Sequence, residues 1–254
     1  MFETSKPLVV FSHPNHELAA FGILQRLKPN IIFLTDGGGE KRIGETKKGL
    51  ASIGLADRAI FLNHTEQSFY DALLRSSYGF FMDVALEVKQ IAKRLEPEVV
   101  FCDAVEFYNP VHDMTLPILS YAFDSIWDNM FEIPLIYEKP GGGFAVQTVP
   151  DAHTDKIEFK LTEAESASKK NALNDTYTIL RDTLGAVLLS CPGALQKETI
   201  FPASSPLRWP GTEYVLRYDQ RAAELKQTGK IEQTITHGVH FCTVVANLIG
   251  IANG

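Results

Sequence analysis

Leu8-Val9-Val10-Phe11-Ser12-His13-Pro14-Asn15-His16-Glu17 is the stretch from which the rest of the chain can be read. A short apolar run that breaks at once into Ser-His-Pro-Asn is strand-sized, buried on both faces, and ends in a tight loop. In that loop His13 and His16 stand three residues apart, so their side chains can converge. Outward from it, similar runs lie at Ile31–Leu34, Ala59–Leu62, Val99–Cys102 and Leu135–Tyr137. Amphipathic segments separate them at Ala19–Leu27, Ile43–Ile53, Met82–Leu95 and Met114–Trp127; the third carries Val84, Val88, Ile91 and Leu95 at helical spacing. Short buried strands alternating with helices predict an α/β fold, a mostly parallel sheet with helices on both faces.

Beyond Tyr137 the order changes. Pro140–Gly143 reads as a turn-rich loop, Lys156–Leu161 alternates like a strand, and Glu163–Arg181 reads as a helix. Tyr218–Lys226 and Gly238–Leu248 add two helical segments. With no linker of biased composition, residues 1–254 are expected to form a single domain, with a sheet core over 1–137 and a C-terminal extension over 138–254.

The 254 residues are 45% hydrophobic and 22% charged, which suits an ordinary globular domain. A net charge of -7, from 24 basic and 31 acidic residues, with no long Lys/Arg run, argues against nucleic acid or an anionic membrane as partner and favours a small-molecule substrate. Cys102, Cys191 and Cys242 fit no Cys-x-x-Cys spacing, and the opening MFETSKPLVVF has no signal-like core. A reducing, cytoplasmic location is expected. The apolar runs fall far short of the roughly 20 residues of a membrane helix, so no integral membrane segment is expected. A homo-oligomer stays open.

Ligands of open α/β sheets collect beyond the carboxyl ends of the strands. Ser12–Glu17, Thr35–Arg42 and Asp103–His112 occupy such positions, and the first and last hold three of the seven histidines. Neutral imidazoles suit zinc, and a catalytic zinc site commonly takes three protein ligands and leaves one position for water. His13, His16 and His112 are therefore candidate ligands of zinc or another divalent metal. Spacing alone leaves ordinary hydrogen-bonded loop histidines as the alternative. Of the others, His237 and His240 share a helix face by spacing, where core or capping roles compete with a second metal pair.

Phe11-Ser12-His13-Pro14-Asn15-His16-Glu17 resembles the A-H-P-D-D-E signature of the PIG-L/LmbE-like N-acetylglucosaminyl deacetylase family. Leu34-Thr35-Asp36-Gly37 with Arg42-x-x-Glu45 and Ile53-Gly54 is similar to the family's T-x-G loop and R-x-x-E helix. Asn109-Pro110-Val111-His112 resembles its H-P-D-H, and Tyr218 through Gly229-Lys230 to His237–His240 is similar to a tail motif of some bacterial members. The resemblance implies a Rossmann-like sheet, a zinc ion and removal of an N-acyl (acetyl) group from an amino-sugar substrate or its glycoside. By position it assigns the zinc to His13, His16 and His112, with an imidazole at His16 where the family has a carboxylate.

Two positions depart from the pattern. Asn15 stands where the family places its general base, and a carboxamide cannot take a proton. Asn109 stands where the family has a histidine that supports the intermediate; an amide there can still donate a hydrogen bond to an oxyanion. Glu17, Asp36 and Asp113 are the candidate substitute bases, with helix capping as the competing role for Glu17. Arg42 resembles the family's substrate-contacting arginine, against a surface pair with Glu45. Asp36-Gly37-Gly38-Gly39 could present backbone amides to an anionic or hydroxyl-rich ligand, and Tyr108 could form an aromatic wall. Three functions compete: a zinc-dependent N-deacylase, a metal-binding relative with lost or altered activity, and a nucleotide or sugar-nucleotide enzyme. The last is disfavoured because no Gly-x-Gly-x-x-Gly follows the first strand.

Overall fold

The computed structural model describes residues 6–124, 128–151, 153–227 and 233–252. Five parallel strands form most of a seven-stranded sheet: β1 (Pro7–Phe11), β2 (Asn30–Thr35), β3 (Ala59–His64), β4 (Val99–Asp103) and β5 (Met130–Ile133). The remaining strands are β6 (Ile136–Glu138), β7 (Phe144–Val146), β8 (Ile157–Lys160) and β9 (Lys197–Pro202). The sheet order is β3-β2-β1-β4-β5-β9-β8, with β9 antiparallel to β5 and to β8. The chain departs from β1 to β2 on one side and reaches β4 on the other, so β1 and β4 flank a topological switch point, where such sheets open a crevice.

Alternate residues of each strand feed opposite faces. Leu8, Val10, Ile32, Leu34, Val100 and Cys102 face helices α3 (Glu66–Leu74), α4 (Tyr78–Leu95), α6 (Thr115–Ala122) and α10 (Cys242–Ala252). Val9, Phe11, Ile31, Phe33, Val99 and Phe101 face α1 (Phe21–Leu27), α2 (Glu40–Ser52) and α8 (Thr178–Ser190). Both faces are covered, as the continuous apolar runs require.

Several expectations need correction. The run Leu135–Tyr137 does not supply the fifth strand of the main sheet. That strand is β5, and Pro134 ends it; the Leu135 and Ile136 amides then donate to Glu106 Oε2 (2.9 and 2.8 Å) and turn the chain into the β6–β7 hairpin. The helix expected over Met114–Trp127 spans Thr115–Ala122, and its last expected residues, 125–127, lie outside the described residues. The helix expected over Glu163–Arg181 is two: α7 (Glu163–Asn171) and α8. A π-turn over Ala172–Thr176 and non-helical backbone at Tyr177 separate them. The helix expected over Gly238–Leu248 opens as a π-turn (His237–Phe241) before α10.

The C-terminal part enters the same sheet through β9 and β8. A buried hub ties it to the first crossover: Lys169 Nζ donates to Glu198 Oε1 (2.9 Å) and Gln147 Oε1 (2.7 Å), while Glu198 accepts from the Gly22 and Ile23 amides (2.8 and 2.7 Å) at the start of α1. Lys169 and Glu198 are both fully buried.

Candidate metal centre

His13 and His16 leave β1 in a loop that bends at Asn15, whose φ of 80° is a left-handed conformation asparagine tolerates. His112 lies on α5 (Pro110–Asp113), the short helix after β4. The switch point thus brings together residues from two crossovers. The three ring centroids are 5.1 Å (His13–His16), 5.0 Å (His13–His112) and 4.5 Å (His16–His112) apart. One nitrogen of each lies within 4.8 Å of the others, and these residues form the one grouping of three or more potential metal ligands among the described residues.

Neighbours decide which nitrogens face inward. The Thr35 hydroxyl donates its only proton to the Ser12 carbonyl (2.8 Å), so it accepts from His13 Nδ1 (2.7 Å), leaving Nε2 with a free lone pair. Asp103 Oδ2 accepts from His16 Nδ1 (3.0 Å) and from the Ser12 amide and hydroxyl (both 2.6 Å), which leaves His16 Nε2 free. A metal-ligating histidine typically donates its second nitrogen to such a partner. Burial, then the neighbouring imidazoles and Arg42, hold His13 well below the usual histidine range; burial, His16 and Arg42 do the same to His112.

Buried His13 Nε2 has no hydrogen-bond partner and faces Glu66 Oε1 at 3.5 Å. A lone pair opposite a carboxylate, beside two more imidazoles, is repulsive until a cation stands among them. The donor set therefore fits a divalent metal, and three neutral nitrogens match water-activating zinc sites.

No protein-family model matches the sequence, and no curated protein matches it. Solved structures share its fold. The A40926 pseudoaglycone deacetylase Dbv21 superposes with a TM-score of 0.52 at 11% identity, over 79% of this chain and 99% of that one. A deacetylase triple mutant of the teicoplanin biosynthetic pathway gives 0.52 at 11% identity, over 78% and 97%. The conserved protein TT1542 from Thermus thermophilus gives 0.50 at 18% identity, over 84% and 100%. This chain has the fold of these solved deacetylases. The order of motifs along the sequence and the course of the chain in space agree on that fold.

Within this deacetylase fold, the two asparagines are turned to particular uses. Asn15 Nδ2 donates to Glu45 Oε2 (2.8 Å), and its Oδ1 accepts from the Thr46 hydroxyl (3.1 Å). Glu45 Oε1 in turn accepts from the hydroxyl and amide of Thr178 (2.5 and 3.1 Å) at the start of α8. Asn15 is thus a brace between the signature loop and α8. Asn109 Oδ1 caps α5 through the Val111 amide (2.8 Å), and its Nδ2 has no partner among the described residues.

The candidate substitute bases are occupied or enclosed. Asp36 Oδ1 accepts from the Gly38 and Glu66 amides (both 3.0 Å). Asp113 accepts from the Glu106 and Phe107 amides and holds the loop after β4. Glu17 is fully buried and caps no helix; burial raises its carboxyl, with Thr46 and Tyr177 beside it. The amides of Gly37, Gly38 and Gly39 bond to Thr35 Oγ1, Asp36 Oδ1 and the Asp36 carbonyl, so none is presented to a ligand. At Gly37, φ is 60° and a Cβ would come 3.3 Å from that of His13.

Glu66 is the residue that sequence reasoning missed. It follows β3 directly, at another strand's carboxyl end, where the same positional rule applies. Its Oε1 also lies 3.2 Å from the Tyr70 hydroxyl. Arg42 donates to the Gly37 carbonyl (3.1 Å) and keeps a buried Nε unpartnered, while Glu45 turns away from it toward Asn15.

Arg42, His16, His112, Asn109 and Tyr108 share a pocket of about 290 Å³. Tyr108 and Asn109 also border a neighbouring one of about 570 Å³. His237 packs against Phe107, Trp209 and Phe241, and His240 Nδ1 accepts from the Thr236 amide (3.1 Å). Among the described residues neither belongs to a group of three or more potential metal ligands. No described helix is long and apolar enough to cross a membrane.

Proposed function

We propose that the chain is a zinc-dependent hydrolase that removes an N-acyl group from an amino-sugar substrate. The observation that carries this reading is the convergence of three oriented imidazoles on one point, with a carboxylate and a free carboxamide beside it. A zinc ion held by His13, His16 and His112 would polarise the amide carbonyl and lower the pKa of water. The named activity of two structural neighbours, deacetylation, supports the reaction class.

The chain's own groups cover the remaining steps. Glu66, facing the cluster, takes the proton of the attacking water as its oxygen bonds to the carbonyl carbon. Asn109 Nδ2 donates to the oxygen on which charge develops. The carbon–nitrogen bond then breaks, and the proton on Glu66 passes to the departing amine, leaving a carboxylic acid and a free amino sugar. Arg42, which lines the pocket, binds substrate oxygen through its guanidinium, and Tyr108 offers its ring as a wall.

The alternative, a metal-binding relative without deacylase activity, draws support from Asn15, which is fully engaged in holding α2 and α8. Metal analysis of the purified protein, with carboxylate release from N-acylated glucosamines before and after chelation, separates the two. One zinc per chain with chelator-sensitive release is expected. One zinc per chain with no release from any N-acyl glucosamine would sink the hydrolase.

A further inference from the structure

The pocket beside the histidines is aliphatic to a degree that an acetyl group does not require. His16, His112, Arg42 and Asn109 line it. Its walls also include Leu18, Leu135, Ile136, Val146, Leu180 and Leu184. These come from separate parts of the chain: the loop after β1, the approach to the β6–β7 hairpin, and α8. On α8, Ile179, Leu180, Thr183, Leu184 and Leu188 fall on one face and all line the space.

A hydrolysed amide has two ends, and two pockets meet at Tyr108 and Asn109. The larger one carries Tyr70, Arg217, Arg221, Gln233 and Thr234, groups able to bond to hydroxyls. In the aliphatic pocket Asn15, Gln147 and Thr183 are already bonded to Glu45, Lys169 and the Ile179 carbonyl, so a sugar ring there would find fewer partners for its hydroxyls than in the larger pocket. The amine side therefore belongs to the larger pocket and the acyl side to the aliphatic one.

This aliphatic lining, drawn from three parts of the chain, offers more apolar surface than the single methyl of an acetyl group can cover. Resting on the N-deacylase reading above, we infer that the substrate carries an aliphatic acyl chain longer than acetyl, seated between α8 and the β6–β7 hairpin. The brace from Asn15 through Glu45 to Thr178 fixes the start of α8 and with it this wall.

Binding of N-octanoylglucosamine and N-acetylglucosamine to the metal-free protein, measured by calorimetry, tests the inference without relying on catalysis. Each buried methylene is expected to tighten binding about fourfold, so the octanoyl compound should bind at least a hundredfold more tightly. Leu184→Trp, at a half-buried position facing the pocket, should collapse that ratio. Leu180→Trp provides a second obstruction, and circular dichroism verifies that both variants fold. Equal binding of the two sugars by the parent would overturn the inference, as would an unchanged ratio in both folded tryptophan variants. The hydrolase reading fails separately: if binding follows chain length and no zinc-loaded sample cleaves either sugar, the acyl pocket stands without the reaction.

Discussion

Replacing Thr35 by valine tests how the metal centre is oriented. The change keeps the shape of the side chain and removes its hydroxyl. In the native chain the hydroxyl proton goes to the Ser12 carbonyl, so the oxygen receives His13 Nδ1 at 2.7 Å and the Gly37 amide at 3.2 Å. In Thr35→Val the buried Nδ1–H has no partner, and the imidazole gains by moving its proton to Nε2, the atom that should bind metal. Loss of such a supporting partner typically costs 10- to 100-fold in metal affinity, about 1.4–2.8 kcal/mol at 1.4 kcal/mol per factor of ten. The orphaned donor should also lower the stability of the metal-free protein by about 1–3 kcal/mol. Competition against a chromophoric zinc chelator gives the first number and urea denaturation the second. Thr35→Ser retains the hydroxyl and should recover most of both. Zinc affinity within twofold of the parent in Thr35→Val, with the protein folded, would refute the assigned tautomer.

Glu66→Gln should retain zinc stoichiometry while lowering the rate of amide hydrolysis by about 10²–10⁴, the usual worth of general acid–base assistance; turnover within threefold of the parent would remove Glu66 from that role. Asn15→Asp should not raise activity, because its new carboxylate would stand against Glu45, now 2.8 Å from Asn15 Nδ2; it should lower the melting temperature, and Glu45→Gln in the same chain should restore it. Lys169→Met leaves Glu198 charged and fully buried with only two amide partners. Denaturant titration should show a loss of about 3–5 kcal/mol, and a loss under 1 kcal/mol would contradict the hub. Glu165, held by Arg26 and the Thr162 cap, is lowered from its ordinary 4.5 to about 2. Its stabilisation is fully present above pH 4.5 and is lost as pH falls through about 2; after allowance for solvent it amounts to about 1–2 kcal/mol. Glu165→Gln should flatten the stability profile across that acid window.

The parts of the fold that were legible are those where one physical demand rules the residue choice. β1, β2 and β4 are buried on both faces, so each shows as an uninterrupted apolar run. β5 was concealed because Glu132 sits within it, accepting from the Val105 amide and paired with Arg208. β9 begins with Lys197 and Glu198, and the latter's burial depends on a lysine far off in sequence. The histidines were readable because both loops that carry them follow apolar strands. Glu66 was not, since the short helix it opens after β3 was not anticipated. Nor does any local pattern show that Asn15 answers Glu45, or that the glycine amides are already bonded within their own loop.

The histidine cluster sits on the seam between β1 and β4, where Ser12 and Asp103 meet across 91 positions of chain. Closing so long a loop is an entropic barrier that local structure cannot lower. Any metal uptake by these imidazoles would therefore belong to the end of folding rather than to its nucleation: the three converge only after the central strands have paired and the second crossover has returned. A zinc-sensitive probe added during refolding would then lag behind helix formation and keep time with the closure of the sheet.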